Sequence, residues 1–124
     1  MWEADGLEGA RVLVVAYGAT ARSARQAVKL ARARFGRKVG LLRLKTLWPF
    51  PEEALVQAAE GVQRVIVAEM NLGQMALEVE RVVGRSRVLR VGRADGKLVS
   101  PGEIVDAMRI SQVRSLPQSV TYRH

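Results

Sequence analysis

Four short apolar runs constrain this chain more than anything else in it. RVLVVAY (11–17), KVGLLRL (38–44), QRVIVA (63–68) and RVLRV (87–91) are each of strand length and rich in Val, Leu and Ile. Continuous rather than alternating apolar character marks a strand covered on both faces. Each run is followed by a stretch whose apolar residues recur at helical spacing. Strand and helix therefore alternate four times, the pattern of a parallel sheet with helices on both sides. The expected fold is a three-layer α/β/α domain with a mostly parallel sheet of four or five strands. With 124 residues the chain holds one core. Residues 11–109 carry the pattern; 1–10 read as a linker or short edge strand, and 110–124, without periodicity, as an extended or mobile tail.

The helices have legible ends. Thr20 is a suitable N-cap for a helix running to Phe35, with Gly36 as its stop. Ala24, Ala27, Val28, Ala31 and Phe35 form its apolar stripe. Arg22, Arg25, Lys29 and Arg32 form the opposite face, either solvated or a docking surface for an acidic partner. Pro51 suits the first position of a second helix, with Glu52 and Glu53 favoured by its positive end. A third helix runs over 72–83 and closes at Gly84. Ser100, Pro101 and Glu103 open a fourth: serine cap, proline at the first position, and glutamate placed to complete a capping box.

Composition excludes several kinds of chemistry. There is no cysteine, so disulfides and Cys-ligated clusters within this chain are excluded, and the one histidine is the last residue, His124. That leaves no catalytic residues, no metal ligands and no cofactor-binding residues to nominate. The adjacent Glu52 and Glu53 do not face one another on a helix. YGATARSA lacks both the dinucleotide fingerprint and a phosphate-binding loop. The net charge of +8 comes from basic residues scattered along the whole length, which argues against nucleic acid as the partner. No apolar run approaches a membrane span, and MWEADGLEGA does not have the form of a signal peptide, so a cytoplasmic location is expected.

Two strings remain unusual. In VIVAEMNLGQ (65–74), a strand ends in polar residues where parallel sheets place their functional edge. Asn71 and Gln74 have capping-box spacing, which makes Asn71 the natural N-cap of the third helix. Glu69 is left over, a carboxylate at the end of a buried strand. It needs hydrogen-bond partners, from local backbone N–H groups or from another domain. In LWPFP (47–51), Trp48 and Phe50 sit on a loop stiffened by Pro49 and Pro51. Such a loop loses little entropy on contact and makes a good interface anchor. Alternatively, Phe50 packs onto the second helix and Trp48 covers the core.

Together, the YG turn at Tyr17 and Gly18, LRLKTLWPFP, EMNLGQ and SPGEI resemble the C-terminal domain of the alpha subunit of 2-oxoacid:ferredoxin oxidoreductases. That domain is itself similar to the C-terminal domain of transketolase. These enzymes use thiamine diphosphate to decarboxylate 2-oxo acids, such as 2-oxoglutarate or pyruvate, oxidatively to acyl-CoA, and pass the electrons to ferredoxin. The resemblance covers roughly 11–108. It implies a structural and assembly role, with no cofactor bound by this chain. Thiamine diphosphate, magnesium and iron–sulfur clusters would belong to the full complex. The implied partners are the other alpha-subunit domains and the thiamine-diphosphate-binding beta subunit, with ferredoxin and CoA met at the level of the complex. The motif positions Trp48, Pro49, Phe50, Glu69, Asn71, Gly73 and Gln74 would face neighbouring domains. The alternative is a free-standing module that holds a nucleotide or acidic partner at the Thr20 helix end, with Arg22 as the anion-binding cation.

Overall fold

The computed structural model describes residues 2–35, 38–70, 74–93, 95, 97–110 and 119–122. The chain runs β1 (Trp2–Asp5), β2 (Val12–Tyr17), α1 (Thr20–Phe35), β3 (Val39–Leu44), α2 (Glu52–Ala58), β4 (Arg64–Ala68), α3 (Gln74–Val83), a 3-10 turn (Arg85–Arg87), β5 (Val88–Arg93), α4 (Pro101–Ile110) and β6 (Ser119–Tyr122). The sheet order is β1-β3-β2-β4-β5-β6. β1 is antiparallel to β3, and every other pairing is parallel.

The sheet therefore has six strands, not four or five. The two additional strands come from the ends of the chain and form the two edges. Residues 1–10 left an edge strand open as one of two readings and 110–124 gave no strand signal, because an edge strand need not be apolar. All of β1 is exposed, and it is fastened by polar contacts instead. Arg32 reaches Asp5 and Arg43 reaches Glu3, each at 3.2 Å. Within the span read as an extended or mobile tail, 110–124, Ile110 closes α4, and Ser119–Tyr122 pair with β5 as an extended strand. Val120 and Tyr122 turn inward onto the core there. The Tyr122 hydroxyl donates to Asp106 Oδ2 at 2.7 Å, which anchors β6 to α4.

The four predicted strands pack as continuous apolar runs should, with alternate residues going to opposite layers. Val14, Ala16, Ile66 and Leu89 meet α1 and α4 on one face. Leu13, Val15, Val65 and Val67 meet α2 and α3 on the other. α1 presents Ala24, Ala27, Val28 and Ala31 to the sheet, all buried. The capping box of α4 is formed: Ser100 Oγ accepts the Glu103 N–H at 3.2 Å, and Glu103 Oε1 accepts the Ser100 N–H at 2.9 Å. α2 begins one residue later than expected. Pro51 stands at its N-cap, and its carbonyl accepts the Leu55 N–H at 3.1 Å. The C-terminal ends of α2 and α3 are joined by Arg87, which donates to the carbonyls of Val62 and Val83 at 3.0 Å and of Ala59 at 3.3 Å. A cation at two helix C-termini satisfies orphan carbonyls and complements both dipoles.

Candidate functional site

Strands β2 and β4 lie side by side and run parallel. After β2 the chain turns into α1 on one face; after β4 it passes to α3 on the other. Their carboxyl ends thus form the topological switch point, where open α/β sheets leave a crevice. Tyr17, Gly18, Ala19, Thr20, Leu47, Glu69, Met70 and Gln74 line it. Gly18 makes the turn at a φ of +64°, a left-handed conformation that favours glycine.

The crevice encloses about 90 Å³. Ligand pockets usually span about 300–1,000 Å³, so this one has room for a few waters or the tip of one side chain. Glu69 borders it, and its carboxylate faces the start of α3. Oε2 accepts the Ala76 N–H at 2.9 Å and Oε1 the Met75 N–H at 3.2 Å. Of the two sources of partners left open for Glu69, local backbone donors are present. A helix start supplies unpaired N–H groups and a positive field, and the carboxylate satisfies both. Burial pushes the Glu69 carboxyl above its ordinary value, although the two N–H bonds and the charge of Arg90 pull the other way. Arg90 is itself held by Glu80 through two contacts at 2.7 and 2.8 Å.

The remaining nominated residues separate. Trp48 is 71% exposed, whereas Phe50 is partly buried against the apolar cluster of the α2–α3 layer. The alternative in which Phe50 packs locally is what the structure contains. Trp48 does not cover the core. Pro49 is exposed and follows a cis peptide bond. Gln74 is the exposed first residue of α3. Asn71 and Gly73 lie outside the described residues, so the expected Asn71 cap does too. Thr20 is buried at the start of α1, while Arg22 is exposed. Arg22 lines a second hollow with Gly18, Ala19, Ser23, Arg43 and Leu98. Sequence reasoning gave no role to Met70 or Tyr17, which line the crevice, or to the Arg90–Glu80 pair. Met70 stood inside the EMNLGQ string, but a lone methionine carries no chemical signal.

Among the described residues, no group of three His, Cys, Asp or Glu side chains could hold a metal ion. No described helix is long and apolar enough to cross a membrane.

The model of pyruvate:ferredoxin oxidoreductase core domain II matches residues 10–104. The chain belongs to this family. Relatives of this core domain II include the 2-oxoglutarate synthase subunit KorA of Methanothermobacter marburgensis, 41% identical over 100 residues, which cover 80% of this chain and 26% of the relative. The ketoisovalerate oxidoreductase subunit VorB of Methanothermobacter thermautotrophicus is 39% identical over 103 residues, 83% of this chain and 29% of the relative. The chain thus spans little more than a quarter of the length of these relatives. Among solved structures, the 2-oxoglutarate:ferredoxin oxidoreductase from Magnetococcus marinus matches with a TM-score of 0.79 and 26% identity, over 90% of this chain and 19% of that one. A split-gene transketolase, with a TM-score of 0.69 and 23% identity over 82% of this chain and 38% of that one, shares the fold. Core domain II is therefore a transketolase C-terminal-like α/β domain of a 2-oxoacid:ferredoxin oxidoreductase subunit.

Proposed function

We propose that the chain is a non-catalytic assembly domain of a thiamine-diphosphate-dependent 2-oxoacid:ferredoxin oxidoreductase, joined to the thiamine-binding parts through the carboxyl edge of its sheet. The observation that carries this reading is the contrast on one stiff loop, where Phe50 packs inward and Trp48, next in sequence to the crevice-lining Leu47, stands 71% exposed. An exposed tryptophan on a pre-ordered loop suits an interface anchor.

The described residues do not fit thiamine diphosphate. The crevice is too small, its one carboxylate is engaged by two backbone N–H groups, and no metal-binding cluster accompanies it. The cofactor would supply the carbanion chemistry of decarboxylation elsewhere in the complex. Glu69 and Gln74 set the start of α3, and Trp48 and Pro49 offer the contact surface. Partners on this reading are the other alpha-subunit domains and the beta subunit, with ferredoxin and CoA engaged by the complex.

The test is reconstitution with the remaining oxidoreductase polypeptides. Trp48→Ala should weaken co-elution and lower 2-oxo-acid-dependent dye reduction, and the isolated chain should be inactive. Full assembly and activity with Trp48→Ala and Glu69→Gln combined would sink the proposal.

A second reading rests on the hollow beside α1. Gly18, Ala19, Arg22 and Arg43 border about 350 Å³ near the Thr20 helix end, where an anion would be favoured. Saturable binding of ADP to the isolated chain, lost in Arg22→Ala, would support a nucleotide-binding module instead.

A further inference from the structure

The two helix layers differ in charge. α1 and α4 carry six basic residues (Arg22, Arg25, Lys29, Arg32, Arg34 and Arg109) against two acidic ones, Glu103 and Asp106. α2 and α3 carry one basic residue, Arg81, against four acidic ones. Both carboxylates of the basic layer are already engaged. Glu103 holds Arg93; Asp106 accepts the Tyr122 hydroxyl at 2.7 Å and faces Arg109 at 3.7 Å. Arg22, Arg25, Lys29 and Arg34 are exposed and have no ion pair among the described residues.

Between α1 and α4 lies a groove of about 340 Å³, lined from both helices. Leu30, Ala33 and Arg34 stand at i, i+3 and i+4 on α1. Gly102, Val105, Asp106 and Arg109 stand at i, i+3, i+4 and i+7 on α4. Residues at these spacings share one helix face, so the lining is one face of each helix around a common hollow. Leu30 is 45% exposed there. The apolar residues Leu30, Ala33 and Val105 share the groove with two guanidinium groups. That of Arg34 has no ion pair, and that of Arg109 has only the long, exposed contact to Asp106, which is worth little. Gly102 leaves room on the α4 side: a Cβ added there would meet only Ser100 Oγ, at 4.0 Å.

We infer that the α1–α4 groove docks an acidic amphipathic helix supplied by another polypeptide. Charge complementarity selects the sign of the occupant. This layer engages its own carboxylates internally and leaves cations over, so carboxylates brought by a partner meet groups that nothing else neutralises. The lining selects the form. Two helix faces flanking a part-apolar hollow accept a third helix through apolar residues at i, i+3 and i+4. Leu30, Ala33 and Val105 would receive the apolar stripe of that helix, and Arg34, Arg109 and the adjacent Lys29 its carboxylates. Nucleic acid suits the cations but leaves the apolar residues unused. The inference stands apart from the assembly reading, because the groove lies across the sheet from α2 and α3 and shares no residue with the crevice at the carboxyl edge.

The experiment measures binding of a labelled synthetic peptide to the 124-residue chain by fluorescence anisotropy. The peptide has about 15 residues, enough for a helix, with Leu along one face and Glu along its flanks. The comparison probes are the same residues in scrambled order and a single-stranded DNA of similar length. The expected result is saturable binding of the patterned peptide, weaker binding of the scrambled one, and loss of affinity with added salt. Arg34→Glu/Arg109→Glu, Leu30→Ser and the groove-filling Gly102→Gln should each weaken binding about tenfold. Lys45→Glu/Lys97→Glu, the same change of charge outside the groove, should bind as wild type does. All six positions are exposed, so thermal melting should stay close to wild type; if the reversed charges unfold the chain, Arg34→Gln/Arg109→Gln takes their place. Equal weakening by the two charge variants, with Leu30→Ser and Gly102→Gln unchanged, would overturn the groove and leave only general attraction. No binding, or equal binding of patterned and scrambled peptides, would also overturn it. DNA bound more tightly than the peptide would replace the helix with nucleic acid. Self-association of the chain alone in sedimentation velocity, abolished by Arg34→Glu/Arg109→Glu, would overturn the inference in favour of a second copy of this chain.

Discussion

The Glu69 carboxylate accepts the Ala76 N–H at 2.9 Å and so ties the carboxyl end of β4 to the first turn of α3. The Met75 N–H makes the same connection to the other oxygen at 3.2 Å. Removing both bonds with Glu69→Ala should cost about 1–2 kcal/mol, the usual range for a lost helix cap. Glu69→Gln keeps an acceptor oxygen and should lose less. Urea unfolding of the isolated chain would check the order, with the midpoint falling and the slope unchanged.

Glu69 and Glu80 should titrate on opposite sides of the ordinary glutamate value of 4.5. Burial raises Glu69, and the hydrogen bond from Arg90 lowers Glu80. Their effects on stability therefore have opposite signs. The contribution linked to Glu80 is present above its unfolded value and is lost as pH falls through its folded value. That linked to Glu69 is complete below the unfolded value and is lost as pH rises through the folded one. Carboxyl carbon resonances followed by NMR titration would locate both. A Glu69 midpoint below 4.5 would mean that the two N–H bonds and the charge of Arg90 outweigh burial.

Ile66 lies at the centre of β4, fully buried under α1 and α4. Ile66→Ala should cost about 2–5 kcal/mol, from lost burial plus the cavity left behind. Equilibrium unfolding would read this directly, and a cost below about 1 kcal/mol would mean the site collapses without penalty.

Trp48 and Phe50 should differ in stability as they differ in packing. Phe50→Ala removes a ring seated on the α2–α3 layer and should destabilise by about 1–3 kcal/mol. Trp48→Ala removes a ring that is 71% exposed and should change stability by less than about 0.5 kcal/mol. Paired thermal melts would separate them.

Tyr122 fastens the last strand. Without its hydroxyl, Tyr122→Phe loses the bond to Asp106 and should cost about 1 kcal/mol. Hydrogen exchange should then quicken across Ser119–Tyr122 before it quickens in β2 or β4. Unchanged exchange there would show that the inward packing of Val120 and Tyr122 is enough.

The interior of this fold was legible in the residues because central parallel strands must be apolar on both faces. RVLVVAY and QRVIVA could hardly be anything else, and the Ser100–Glu103 box named its own partners. The edges were less legible, β1 only as a linker or short edge strand and β6 only within an extended or mobile tail, for the complementary reason. β1 is held by backbone pairing and by Arg32 and Arg43, which are far from it in sequence. β6 is held by Tyr122 on Asp106, a contact across α4. Such long-range polar fastenings leave no periodicity. At the site, sequence isolated Glu69 as a carboxylate in need of partners but could not choose between a helix start and a neighbouring domain. That choice depends on where Met75 and Ala76 point. Trp48 and Phe50, two residues apart on one loop, differ in exposure for the same reason: the turn of the backbone decides it.

The crevice between β2 and β4 opens where the chain departs to opposite faces, so its rim is made by both helix layers at once. A half-formed molecule, with one layer docked and the other loose, would have no complete rim to offer. On the proposed role, a neighbour that grips this rim recruits only finished copies, and assembly itself inspects the fold.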